Sequence, residues 1–212
     1  MPGAAITSPW KKSRERKRER ELKQDAVLAA AAHVFAEYGY HRASLDEVAQ
    51  LLNVTKPTLY YYFKNKEAML FACIEHVLDR LDDEAAVAGE EEAMTTGLQR
   101  LVAYLRRYAR LIDTDFGRCA VRISDTELSD ASRKKIRRIK SDIDHKIREL
   151  VSDGIADGSI ASSDPKVTAF ALAGALNSLG HWRNRDADLS EQRIVDEYIS
   201  LLTNGLIPRK QA

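Results

Sequence analysis

Between Thr55 and Lys66 the chain gathers the groups that read nucleic acid: hydroxyls, aromatic rings and ammonium ions at the spacing of one short helix. Thr55, Lys56, Pro57, Thr58, Tyr60, Tyr61, Tyr62, Lys64 and Lys66 all fall in this stretch. At roughly 100° per residue, Leu59 and Phe63 share one face, Pro57, Thr58 and Tyr61 point away from it, and Tyr60 and Tyr62 lie on the flanks. Hydroxyls and ring edges on the outside, with lysines at both ends, suit a phosphate-flanked major groove. The same spacing also fits an ordinary helical hairpin with surface tyrosines.

The preceding residues supply a support for that helix. Ser44 and Glu47 have the spacing of a capping box, which predicts a helix starting at Ser44. Leu45, Val48, Ala49 and Leu52 form its buried face. Asn53 is placed to end it in the left-handed conformation. After a turn of about three residues, Thr55 caps the next helix, and Pro57 is tolerated in its first turn. Upstream, a first helix is expected from Glu21 to Tyr38, with Val27, Ala30, Ala31, Val34 and Phe35 inward and Gly39 as its stop. His33 within it reads as a surface or packed residue, because no second metal-type side chain has suitable spacing.

The segment Val54 to Lys66, VTKPTLYYYFKNK, followed by Glu67-Ala68-Met69-Leu70, resembles the signature of tetracycline-repressor (TetR) family transcription regulators. The likeness extends back through Ala32 to Tyr40 and covers about residues 20 to 70. It implies an all-α fold: a three-helix head with a helix-turn-helix over residues 20–66, and a larger helical body over residues 67–212 that binds an effector and dimerises. It further implies that Ser44, Thr55, Lys56, Thr58, Tyr61, Tyr62 and Lys66 contact double-stranded operator DNA, together with Pro57 and Tyr60. Lys56 and Thr58 would then read base edges, while Ser44, Lys66 and the tyrosine hydroxyls position phosphates. The last two helices would pair with their copies in a homodimer. Asn53 stands where many such regulators carry glycine, and position 56 varies among them, which leaves the operator sequence open.

Composition agrees with a helical chain that handles a polyanion at one end. The 212 residues are 44% hydrophobic, enough for a real core. The net charge of +1 conceals an asymmetry: residues 1–66 hold 12 Lys and Arg against 7 Asp and Glu, and the rest holds 21 against 25. Residues 1–19 read as a basic N-terminal arm. Its run KKSRERKRER can extend the first helix or stay flexible, and can follow phosphates or simply be solvated. Two cysteines, Cys73 and Cys119, fit a reducing cytoplasm and buried positions. No apolar run is long enough to span a bilayer, and no signal-peptide pattern is present, so a cytoplasmic protein without membrane contact is expected.

The body reads as helices from near Asn65 to Leu81, from Glu92 to Ile112, a shorter one through Leu128, from Ser129 or Asp130 to Asp153, from Asp164-Pro165 to Trp182, and from Ser190 to Gly205. Tyr104, Tyr108, Phe116, Phe170 and Trp182 are candidates to line a pocket for a small-molecule effector, a hydrophobic metabolite, an acyl-CoA or a drug-like compound; each also reads as plain core. The basic cluster Arg133, Lys134, Lys135, Arg137, Arg138 and Lys140 can hold phosphates or be a solvated face. No catalytic, metal-binding or cofactor motif is found. An enzyme built on a helical bundle therefore has little support. A non-specific architectural DNA-binding protein without an effector remains the other alternative.

Overall fold

The computed structural model of the protein describes residues 9–87, 94–123, 128–181, 190–204 and 206, which form helices and no strand. The head contains α1 (Pro9–Tyr38), α2 (Leu45–Leu51) and α3 (Lys56–Tyr62). From it α4 (Lys66–Val87) leads into a body of α5 (Gly97–Asp113), α6 (Asp115–Arg122), α7 (Asp130–Ala156), α8 (Pro165–Leu179) and α9 (Glu191–Asn204).

Local chemistry explains most of these boundaries. Gly39, at φ +78°, ends α1. The Ser44 hydroxyl accepts from the Asp46 amide at 3.1 Å and the Glu47 carboxylate accepts from the Ser44 amide at 3.0 Å, so the capping box forms as its spacing predicts. Asn53 takes φ +52°, which lets the Val54 amide donate back to the Ala49 carbonyl at 2.9 Å and sets the turn before α3. Replacing Asn53 by Val should destabilise the protein by about 1–2 kcal/mol, because a β-branched side chain crowds the backbone in the left-handed region. Asn53→Gly should change stability little. Equal denaturation midpoints for the two variants would contradict this account of the turn.

Several boundaries differ from the sequence expectation. The run 11–20 belongs to α1, which starts at Pro9 rather than Glu21, so the basic segment is a helical extension. α4 continues past Leu81 to Val87, because no residue before Gly89 interrupts it. α5 starts at Gly97 rather than Glu92: Thr96 and Gln99 form a second capping box that fixes the start. α7 runs past Asp153 to Ala156, and α8 ends at Leu179 rather than Trp182. Trp182 and the helix stop Gly205 lie outside the described residues. The caps at Ser129, Asp164 and Ser190 form as expected.

Two apolar cores result. One gathers Phe35, Val48, Leu59, Met69 and Leu70 in the head and reaches Cys119 and Ile136. The other joins Val77, Leu105, Ile112, Ile147, Leu176 and Ile199 in the body. Phe116 and Ala120 of α6 pack against both. This short helix contacts α1, α4 and α5, and so forms the joint between head and body.

Candidate nucleic-acid interface and effector cavity

α3 is held by one buried face and offers the rest outward. Leu59 is fully buried and Phe63 nearly so, while Tyr60 is 46% and Tyr61 66% exposed. Thr55 and Pro57 are also exposed; Thr58 and Tyr62 are half-buried. The Tyr61 and Tyr62 rings meet edge to face with centres 5.1 Å apart. Thr55 does not cap α3 through its side chain; its hydroxyl pairs with that of Thr58 at 3.0 Å. Tyr62 also packs against the head core; the remaining outward side chains form one continuous hydroxyl- and aromatic-rich surface.

The cations have partners that spacing did not reveal. Lys56 Nζ sits 2.9 Å from Asp46 Oδ2 on α2, and this hydrogen bond raises the lysine pKa and lowers that of the aspartate. Lys66 donates to the His41 carbonyl at 3.2 Å and lies over the Tyr40 ring at 4.7 Å, holding the α1–α2 loop against the start of α4. Ser44 is half-buried with its hydroxyl engaged in the cap of α2. Arg20 of α1 was not singled out from the sequence, yet its guanidinium lies 5.4 Å from the Tyr61 ring centre.

In the body, α4, α5, α6, α7 and α8 surround a cavity of about 330 Å³. Its walls are Ile74, Val77 and Leu78 of α4, Ile112 of α5, Ile136, Ile139 and Ile143 of α7, and Ala173 and Gly174 of α8. Of the five aromatic candidates, Tyr108 and Phe170 line it. The Tyr108 hydroxyl donates to Asn177 Oδ1 at 2.7 Å, and burial pushes its pKa up to about 12. Tyr104 is buried in the body core instead, and Phe116 stacks on His76 at the head–body joint, 4.2 Å between ring centres. Neither lines this cavity. Lys140 and Asp144 provide its polar edge. Asp144 pairs with Arg148 through Oδ2, while its buried Oδ1 has no hydrogen-bond partner among the described residues.

The joint beside the cavity is polar and specific. Arg122 at the end of α6 donates Nη1 to the Ala36 carbonyl of α1 and Nε to the Gly180 carbonyl at 3.0 Å, just past α8. Asp115 at the start of α6 meets His33 of α1 at 2.9 Å and Arg118 at 3.0 Å. Burial opposes ionisation of Asp115, but the hydrogen bonds from Arg118 and His33 outweigh it and hold the carboxyl below its ordinary value. His33 is thus a head–body tie. Cys73 and Cys119 are both buried; contact with the Cys119 thiol, reinforced by burial, raises the pKa of Cys73. Among the described residues there is no cluster able to hold a metal ion, and no helix long and apolar enough to cross a membrane.

Comparison with known proteins covers head and body separately. Residues 27–73 match the model for bacterial regulatory proteins of the tetR family, and residues 94–206 match that for tetracyclin repressor-like C-terminal domains. The chain is 27% identical over 191 residues to YhgD of Bacillus subtilis, an uncharacterised HTH-type transcriptional regulator, covering 85% of this chain and 94% of the relative. It is 24% identical over 196 residues to the fatty acid metabolism regulator protein of the same species, covering 89% and 98%. The crystal structure of AibR in complex with isovaleryl coenzyme A and operator DNA superposes with a TM-score of 0.71 at 25% identity, covering 84% of this chain and 96% of AibR.

Proposed function

The chain belongs to the TetR family of helix-turn-helix transcriptional regulators, and from that premise we propose that it is a cytoplasmic, dimeric repressor that leaves its operator when a small acyl-CoA-type molecule enters the body. The observation that carries the DNA-binding part is the outer surface of α3, where Pro57, Tyr60 and Tyr61 stand exposed with the half-buried Thr58 between them. Residues 20–66 are the reading head and residues 67–212 the sensing and dimerising body. Thr58 and Lys56 read base edges; Thr55, Tyr61, Tyr62, Ser44 and Lys66 position the backbone.

The Lys56–Asp46 pair makes one part of this reading testable. Asp46→Asn removes a negative charge beside α3 and frees the lysine, so affinity for duplex DNA should rise several-fold. The slope of log affinity against log salt should steepen by up to about 0.9 per bound protomer, the equivalent of one more positive charge facing the DNA. An unchanged slope in fluorescence anisotropy titrations would show that the charge of Lys56, freed from Asp46, does not face the duplex.

Dimerisation is supported by the outer face of α8, where Val167, Phe170, Ala171 and Gly174 are exposed at helical spacing, and by Leu201 on α9, which is 73% exposed. Such a small, apolar stripe lets a copy approach closely, and a two-fold pair of heads can read a palindrome.

The effector reading rests on the cavity and its edge. A volume of 330 Å³ holds about eleven groups at roughly 30 Å³ each, a short or medium acyl chain rather than a long one. Lys140 borders it, and Arg137 and Arg133 follow at helical spacing on the same edge of α7. This order, apolar wall then cations, matches an acyl group followed by phosphates. The free acceptor of Asp144 suits an amide N–H of the pantetheine arm between them. AibR binds isovaleryl coenzyme A, and the B. subtilis relative regulates fatty acid metabolism. The test titrates acyl-CoA thioesters of increasing chain length into a protein–operator complex. Release should be strongest with chains of up to about eleven non-hydrogen atoms, the number the cavity accommodates. Equal release by the free acids would remove the phosphate role, and no release by any thioester would remove the effector class.

A further inference from the structure

The N-terminal part of α1 lies outside the head core: residues 13–23 are all exposed, and the buried part of α1 begins at Val27. At 1.5 Å per residue, the segment from Arg20 back to Ser13 projects about 10 Å beyond the contact that Arg20 makes with Tyr61. Charge is distributed unevenly around its axis. At roughly 100° per residue, Arg16, Arg20 and Lys23 form one stripe with Lys17 beside it; Glu15 and Glu21 lie more than a quarter turn from its centre, and Glu19 sits at its edge, paired with Lys23. Lys17 and Lys23 are braced by Glu21 and Glu19 one turn away. The stripe faces α3, because Arg20 lies over Tyr61, the most exposed tyrosine of that helix. The basic face of α1 and the outer face of α3 are therefore one continuous surface.

We propose that the N-terminal half of α1 is a rigid basic prong that lies along the phosphate backbone beside the groove entered by α3, with Arg16 and Arg20 as its principal contacts. The inference rests on the reading of α3 as the DNA-facing helix. It differs from a mobile arm in requiring helical continuity from the prong into the head. A projection of about 10 Å spans roughly three phosphates of one strand, at 3.4 Å of duplex axis each. An exposed helix without an apolar face gains little from packing, so its charges are the surface it offers. The adjoining α3 face identifies duplex DNA, rather than an acidic protein, as the partner.

The test uses the full-length protein and a duplex recovered from a random-sequence pool by the protein itself, with affinity measured by fluorescence anisotropy over a range of salt. Arg16→Gln/Arg20→Gln should flatten the log–log salt slope by about 1.8 per bound protomer, the equivalent of two phosphate contacts each and about 3.6 for a dimer, and shorten the hydroxyl-radical footprint at its outer edges. Arg14→Gln/Arg18→Gln removes the same charge from the opposite face of the same helix and should leave slope and footprint as in the wild type. Leu22→Pro keeps every cation but breaks the helix between prong and head, and should shorten the footprint as the first variant does. All five positions are exposed, so the melting temperature checks that the folded head is intact. Equal flattening by both charge variants, or flattening by neither, overturns the prong. A full footprint from Leu22→Pro overturns its rigidity. If the wild type binds no duplex in preference to others, the reading of α3 fails first.

Discussion

Gly97→Ala should lower the melting temperature by about 6–12 °C, the equivalent of roughly 3 kcal/mol in a chain of this size. A Cβ on Gly97 would stand 2.2 Å from the Gly154 amide nitrogen and 2.5 Å from its Cα, so the start of α5 and the end of α7 touch backbone to backbone. A flexible side chain could swing aside, but a helix backbone cannot. The junction is reinforced by the Asp157 carboxylate, which accepts from the Gly97 amide at 2.6 Å, and by Ser159, which accepts from the Leu98 amide at 3.1 Å. It should also be acid-sensitive. Hydrogen bonds from the Ser159 side chain and the Gly97 amide hold the Asp157 pKa below its ordinary 3.8. Its stabilisation is therefore complete above that ordinary value and lost as pH falls through the lowered one. A Gly97→Ala protein melting within about 2 °C of the wild type would mean that the crossing can open cheaply, contrary to its close packing.

Arg122→Met should separate binding from response. The side chain joins the end of α1, through Ala36, to the end of α8, through Gly180, while its helix forms part of the cavity wall at Ala120 and Val121. An effector can move the heads only by favouring one arrangement of this joint over another. Without the tie, operator affinity of the unliganded protein should stay within about threefold, whereas the effector-induced drop in affinity should shrink at least fivefold, a coupling loss of about 1 kcal/mol or more. The two abandoned carbonyls should also cost stability, on the order of 1–3 kcal/mol. Anisotropy titrations with and without effector separate these outcomes. An unchanged effector shift would place the coupling elsewhere.

How far the sequence revealed this molecule depends on the range of each interaction. Ser44 with Glu47, Asn53 and Gly39 were readable because each fixes its own turn, and the resemblance over residues 20–70 carried the head and the family. The partners of the cations were not readable. Lys56 finds Asp46 ten residues away and Lys66 finds the His41 carbonyl across the head, and neither contact leaves a periodic trace. In the body, Tyr104 and Tyr108 share a stripe at i and i+4, yet only Tyr108 reaches Asn177 on α8 and borders the cavity. Phe116 is drawn to His76, so an aromatic candidate for the pocket serves the joint instead. The stronger signal for the cavity was the isoleucine series of α7. Ile147 is fully buried in the body core, whereas Ile136, Ile139 and Ile143 line the space. The spacing gives all of them one face, but not which would meet a void.

Whether α3 reads a particular DNA sequence is decided by selection from a random duplex pool by the purified protein, followed by competition at fixed salt. Selection should recover a two-fold symmetric sequence that a dimer binds at least about 10³-fold more tightly than random duplex, with the preference lost in Thr58→Ala/Tyr61→Ala. Equal affinity for recovered and random duplexes would contradict sequence reading by α3 and leave an architectural DNA-binding protein in its place.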